Sequence, residues 1–221
     1  MKMSSTVVAL LLLTVATGFI DAASYLGLGH VFVANMTGNV VFFGFAADPA
    51  SGLSALMAAV AFAGFLAGAF VGGIAGRVWS GRSRLWPPIA LGVQGVILVA
   101  AAAAAWHSPP TDHGNGRAWL IAALAIAFGL QNATVRKIAV PDLTTTVLTL
   151  TVTGLAADSR LGGGPGAKPV RRIASIAAML VGAAAGALIV RHSLALAIAA
   201  AAVCVIAGAV IFAATPLARA D

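Results

Sequence analysis

The chain has 221 residues, enough for one compact helical bundle and too few for a bundle plus a large soluble domain. Hydrophobic residues make up 61% of it and charged residues only 9%, with a mean hydropathy of +1.02; a soluble domain needs far more charge to cover its surface. The net charge of +7 sits in short loops beside apolar runs, without the aromatic-interleaved stripe of a nucleic-acid binder, so membrane topology accounts for it and nucleic acid is excluded as a partner.

About 20 apolar residues span the hydrocarbon core as a helix. Six segments meet or approach that length, at Ser5–Gly27, Leu53–Gly76, Trp86–Trp106, Arg117–Thr134, Ile173–Val190 and Ser193–Ala214. The first, with Lys2 ahead of Val7–Val15, has some features of a secretory signal peptide, but a counterpart of its Asp21 segment later in the chain favours a retained helix. Two shorter stretches, Asn39–Ala47 and Leu143–Leu155, follow the first and fourth spans and are too short or too Thr-rich to cross alone. With the N-terminus in the cytoplasm and no net crossing by the short stretches, eleven Lys and Arg fall inside and only Arg117 and Arg191 outside, as the positive-inside rule requires. The expected class is all-α: a polytopic membrane protein with six transmembrane helices, half-helices or re-entrant segments at the two short stretches, and both termini cytoplasmic. His107–Gly116 reads as a polar outer loop and Leu161–Lys168 as a flexible inner one, whose glycines lack the spacing of a phosphate loop.

The two halves match in order. Gly18-Phe19-Ile20-Asp21-Ala22 pairs with Gly129-Leu130-Gln131-Asn132-Ala133, and Asn35-Met36-Thr37-Gly38-Asn39 pairs with Asp142-Leu143-Thr144-Thr145-Thr146. Phe65–Gly72 followed by Arg77 then pairs with Met179–Gly186 followed by Arg191. With three spans each, repeat one (5–106) and repeat two (117–215) would insert in opposite orientations within one transmembrane domain of residues 1–221, the inverted-repeat plan of many transporters. Gly64, Gly68, Gly72 and Gly76 recur every four residues and form a ridge suited to close helix packing rather than to a ligand.

Asp21 is the sharpest candidate for function. A carboxylate inside a span costs about 2.5–3.5 kcal/mol even on insertion scales, and such groups face cavities, partners or proton paths. Its counterpart Asn132, beside Gln131, offers a neutral amide, an asymmetry that suits a coupling site; the bland alternative is that Gln131 and Asn132 are polar glue between helices. Asn35, Thr37 and Asn39 precede an apolar half-helix expected at Val40–Ala46, and Gly38 leaves room for close approach. Pro141, Asp142, Thr144, Thr145 and Thr146 precede Val147–Leu155 in the same manner. Helix starts attract anionic or polar groups, and in an inverted repeat the two starts approach the midplane from opposite sides. Gln94, in the third span, either lines the same cavity or bonds a neighbouring backbone. The His residues have no metal-site spacing, and the single Cys204 excludes an intrachain disulfide.

The segments GFIDAASYLGLGHVFVANMTGNVVFFG and AFGLQNATVRKIAVPDLTTTVLT resemble the YoaK family of bacterial inner-membrane proteins, catalogued as a domain of unknown function. The resemblance covers essentially the whole chain, and Asp21, Asn35, Thr37, Gly38, Asn39, Gln131, Asn132, Asp142 and Thr144 fall on its motifs. It implies about six helices in a bacterial cytoplasmic membrane and no assigned substrate. The expected function is a secondary transporter or channel for a small polar or anionic solute, with no cofactor, metal or catalytic residue and with the bilayer as its surroundings; a homo-oligomer is compatible with this reading. A non-transporting scaffold is the main alternative. A membrane-embedded enzyme using Asp21 and Asp142 is the lesser one, since neither HExxH nor GxSxG is present.

Overall fold

The structure, a computed structural model, describes residues 4–79, 85–110, 115–138, 148–160, 162–164 and 169–215. Its described regular structure is all helical: α1 (Ser5–Gly27), α2 (Met36–Phe45), α3 (Ala55–Val78), α4 (Trp86–His107), α5 (Gly116–Ile138), α6 (Leu148–Ala157), α7 (Pro169–Val190) and α8 (Leu194–Ala214), with a single 3-10 turn at Pro49–Ser51. Six of these helices are long and apolar enough to cross a membrane, and α2 and α6 are the two short ones. Local chemistry sets several starts. Ser4, Ser54 and Ser193 cap α1, α3 and α8 by accepting from the amides of Val7, Met57 and Leu196, and Pro87 opens α4 where its missing N–H is no loss.

Two boundaries differ from the sequence expectation because charge ends an apolar run before it ends a helix. The fourth span runs on to Ile138, through Arg136 and Lys137, and the fifth begins at Pro169, ahead of Arg171 and Arg172. Arg136 and Lys137 are exposed, reach out towards water and meet the negative end of the α5 dipole, whereas Arg172 is buried and finds its partners within the chain.

The long helices meet through glycine. A Cβ on Gly18 would lie 2.5 Å from the Met179 carbonyl oxygen and 2.6 Å from the Ala183 nitrogen, and one on Gly182 would lie 2.2 Å from the Val15 carbonyl oxygen. The same positions recur between α5 and α3. A Cβ on Gly129 would lie 2.1 Å from the Phe65 carbonyl oxygen and 2.8 Å from the Ala69 nitrogen, and one on Gly68 would lie 2.0 Å from the Ile126 carbonyl oxygen. Backbone thus packs on backbone, the contact that small residues permit in a medium offering no hydrophobic drive between helices.

These contacts also give the helix directions. Val15 meets Gly182, Phe19 meets Gly186 and Gly27 meets Val190, so α1 and α7 run parallel. Ala122 meets Gly64, Ile126 meets Gly68 and Lys137 meets Gly76, so α3 and α5 run parallel. α8 runs against α1, with Gly208 beside Leu13 and Leu194 beside Gly27. The Arg117 side chain, at the start of α5, lies on Gly29, just past the end of α1. The end where α1 begins is proximal here and the end where it finishes is distal. α3 and α5 then run from distal to proximal, and α7 starts proximally. The chain from α1 to α3, with α2, begins and ends distally, and the chain from α5 to α7, with α6, begins and ends proximally. Neither makes a net crossing, which is the expected six-span layout. The described basic residues separate accordingly, with Arg77, Arg136, Lys137, Arg171 and Arg172 at proximal helix ends and Arg117 and Arg191 at distal ones.

The core is built from α1, α4, α5 and α8, including Leu10, Leu13, Ile20, Leu91, Leu98, Ile121, Leu124, Phe128 and Ile198, all fully buried. α3 packs on α5 and α7 on α1 as outer helices, and α2 and α6 rest on α3 and α7. Outer faces carry exposed Leu66, Phe70, Val71, Leu180, Val181 and Leu188, the surface that a bilayer covers. Overpacking the glycine crossings should break this arrangement. Gly68→Leu and Gly182→Leu should each destabilise the protein by about 2 kcal/mol or more, read as a lower melting midpoint in detergent. Gly73→Ala, whose Cβ would meet nothing within 4 Å, should not lower the midpoint; equal midpoints for all three variants would refute the backbone contact.

Candidate functional site

α1 ends in two consecutive left-handed residues, Gly29 at φ 97° and His30 at φ 60°. The left-handed region is easy for glycine and uncommon for other residues. The turn sends the chain back along α1, so the Ala34 N–H donates to Asp21 Oδ1 at 3.1 Å. Asp21 lies six residues before the end of its helix, roughly 9 Å inward at 1.5 Å per residue. From that depth α2 leads back out, and its Phe42 reaches Tyr25, ring centroids 6.0 Å apart. The first short stretch is therefore re-entrant, irregular on the way in and helical on the way out.

Its polar residues are committed to this shape. Asp21 is 5% exposed. It accepts from the Ala34 N–H and from the Asn35 side-chain amide, donors that lie just ahead of the first turn of α2. Asn39 is buried and pairs with the peptide group of Phe32 through both halves of its amide: Oδ1 accepts from Phe32 N–H at 2.9 Å, and Nδ2 donates to the Phe32 carbonyl. Phe32 then stacks on both Tyr25 and Phe42, at 5.2 and 5.6 Å, closing a three-ring cluster.

The helix start expected at Val40 lies at Met36 instead, so Thr37, Gly38 and Asn39 belong to the first turn of α2. Asn35 is the N-cap residue, but its side chain makes no cap bond and is turned to Asp21. Thr37 is exposed. Gly38 does serve close approach, but of a ring in its own segment: a Cβ there would lie 2.5 Å from Phe32 Cδ2.

A second polar group lies inside the bundle. Gln94 Nε2 of α4 donates to Gln131 Oε1 of α5 at 2.8 Å, and Gln131 Nε2 donates to Thr17 Oγ1 of α1 at 3.3 Å. Thr17 passes its own proton to the Leu13 carbonyl at 2.9 Å. All three side chains are fully buried, and Gln94 Oε1 accepts no hydrogen bond. Gln94 thus bonds a side chain across helices rather than a neighbouring backbone. Thr14, Thr17, Asp21 and Ser24 stand three and four residues apart, so they form one buried polar stripe along α1. Thr134 continues the polar side of α5, bonding the Leu130 carbonyl.

The expected site residues thus fall into separate groups. Asp21, Asn35 and Asn39 come together within the first half. Gln131 joins Thr17 and Gln94 at the centre. Asn132 is half-buried and donates to the Phe128 carbonyl of its own helix at 2.9 Å. Asp142, Thr144 and Thr146 lie outside the described residues.

Arg172 was counted above only as a loop charge. It is buried, donates to the Gly154 carbonyl and forms an ion pair with Asp158 at 2.7 Å. It thereby ties the C-terminal end of α6 to the first turn of α7. Gly154 and Arg172 lie 18 residues apart on different helices, and no local pattern in the sequence would have exposed their contact. Among the described residues, no cluster of His, Cys, Asp or Glu could hold a metal.

Length, composition and helix directions together define a multi-pass helical membrane protein. The family profile described as "Protein of unknown function (DUF1275)" matches residues 9–211, and the chain belongs to that family. It is similar to the "UPF0700 transmembrane protein YoaK" of Bacillus subtilis (strain 168), 32% identical over 162 residues that span 70% of this chain and 66% of the relative, just under two thirds of its length. No solved structure matches the chain.

If Asp21 holds the re-entrant segment, Asp21→Ala should free the Ala34 amide. Hydrogen exchange in peptides covering residues 31–35 should then accelerate by about tenfold or more, the loss of at least one charge-assisted bond. Exchange in α8 should stay at its wild-type rate, and an unchanged rate at residues 31–35 would remove the clamp.

Proposed function

We propose that the protein is a secondary transporter or channel for a small polar or anionic solute, built as two inverted three-span repeats, with Asp21 as its coupling group if an ion gradient drives it. The single observation that carries this reading is the buried polar stripe of α1, Thr14, Thr17, Asp21 and Ser24, joined at mid-bundle to Gln131 and Gln94. Polar groups inside a membrane bundle are expensive, and their default meaning is a path or site.

The repeat reading is supported by the paired crossings, where Gly18 meets Met179 and Ala183 as Gly129 meets Phe65 and Ala69. It is supported too by the opposite directions of α1 and α5. The separation of basic residues between the two ends favours a cytoplasmic proximal end, hence both termini inside and, with the family resemblance, a bacterial cytoplasmic membrane.

Asp21 gives the proposal a chemical form. The Ala34 N–H and the Asn35 side-chain amide, just ahead of α2, are donors that an anionic solute could use, and the carboxylate already holds them. A solute anion would have to displace Asp21, and a proton taken up by Asp21 would make that exchange charge-neutral. The reading assigns no catalytic residue, metal or cofactor.

Uptake into proteoliposomes tests it, with a monocarboxylate, inorganic phosphate and a neutral polyol as probes, each with and without a pH gradient. At least one probe should enter faster than into empty liposomes. Asp21→Asn should abolish any dependence on the gradient, and Gln131→Leu should slow entry by about tenfold, the worth of one buried polar contact. Unchanged uptake in both variants overturns the site. No uptake of any probe by folded protein favours a scaffold, in which Asp21 serves only to shape the α1–α2 connection.

A further inference from the structure

Three helix ends converge at the proximal end, namely the last turns of α3 and α5 and the first turn of α4. Trp86 opens α4 there. It is 8% exposed, and its indole N–H is buried and donates to nothing. Native proteins rarely leave a buried donor without an acceptor, and one that persists calls for an explanation such as a missing ligand.

Gly76 of α3 lies beside it. A Cβ at that position would sit 3.0 Å from Trp86 Nε1 and 3.1 Å from Lys137 Nζ of α5. Glycine there leaves a notch that the Lys137 stem, with Cδ 2.8 Å from the same point, and both nitrogens line closely. Lys137 makes no hydrogen bond or ion pair among the described residues. No Asp or Glu occurs in α3, α4 or α5, so these helices supply no counter-charge, whereas Arg77 and Arg136 in the adjoining last turns add positive charge. The group offers donors and cations only, so it fits an oxyanion.

The surroundings say which kind. Val78, Leu85 and Ile89 are exposed on the same helix ends. A free ion has no use for that apolar surface, but an amphiphile does. We propose that the notch binds the phosphate of an anionic phospholipid. Trp86 Nε1 and Lys137 Nζ donate to its non-bridging oxygens, Arg77 and Arg136 supply the field, and an acyl chain lies along Val78, Leu85 and Ile89. Lysine and arginine near a membrane surface attract anionic lipid generally; the indole donor makes this a site rather than a diffuse attraction. The site stands independently of any transport activity.

Native mass spectrometry of the full chain in detergent, titrated with phosphatidylglycerol or phosphatidylcholine, tests the assignment. Wild type should retain one phosphatidylglycerol in preference to phosphatidylcholine. Trp86→Phe keeps the ring and its packing but removes the donor, and Lys137→Gln keeps the stem but removes the charge. Each should weaken phosphatidylglycerol binding by about tenfold, the worth of a hydrogen bond to a charged group, with helix content by circular dichroism unchanged. Wild-type binding in Trp86→Phe would overturn the site and leave diffuse electrostatics. Full competition by millimolar inorganic phosphate would overturn the lipid assignment in favour of a free anion.

Discussion

Everything in this bundle rests on two parallel helix pairs brought together backbone to backbone, α1 with α7 and α3 with α5. Between membrane spans there is no gain from removing apolar surface from water, so close van der Waals contact has to carry the association. Glycine at 18, 68, 129 and 182 permits that distance. The pairs in turn fix where α4 and α8 lie, and they bring the polar faces of α1 and α5 to the same depth, where Gln131 reaches Thr17.

The interior polar groups obey one rule: each finds a partner from the chain itself, because the hydrocarbon offers none. Thr14, Thr17 and Thr134 return their protons to carbonyls of their own helices. Asp21 and Asn39 satisfy backbone groups of the re-entrant segment, which has no ladder or helix of its own. Arg172 does the corresponding work for the end of α6. Among the described residues the exceptions are single atoms: Gln94 Oε1, Trp86 Nε1, Ser175 Oγ and Arg117 Nε, the last on a side chain that has a partner elsewhere.

The spans were legible in the sequence because a run of some twenty apolar residues has few other uses. Their ends were less so, since Arg136 and Arg172 look like loop residues until their long stems are placed. The glycine ridge of α3 could be read from its period, and its partner surface on α5 could not. The importance of Asp21 was legible from its cost, but its bonding to Ala34 and Asn35 was not. That bonding depends on the left-handed turn at Gly29 and His30, and a non-glycine residue in that region carries no sequence signal. The union of Gln94 with Gln131 joins residues from different helices, and periodicity within one helix says nothing of such pairs.

The pairing of α1 with α7 has a consequence for how the protein is made. Chains leave the ribosome from the N-terminus, so α1 enters the membrane before its partners α5, α7 and α8, which are still to be synthesised. Until they arrive, the face bearing Thr14, Thr17, Asp21 and Ser24 has only local partners, and contacts between such distant parts of the chain form late. The re-entrant segment, formed from residues that emerge just after α1, lets Asp21 find its donors at once. The least tolerable group on the first helix is thus sheltered by the next few residues of the chain, long before the bundle that finally encloses it exists.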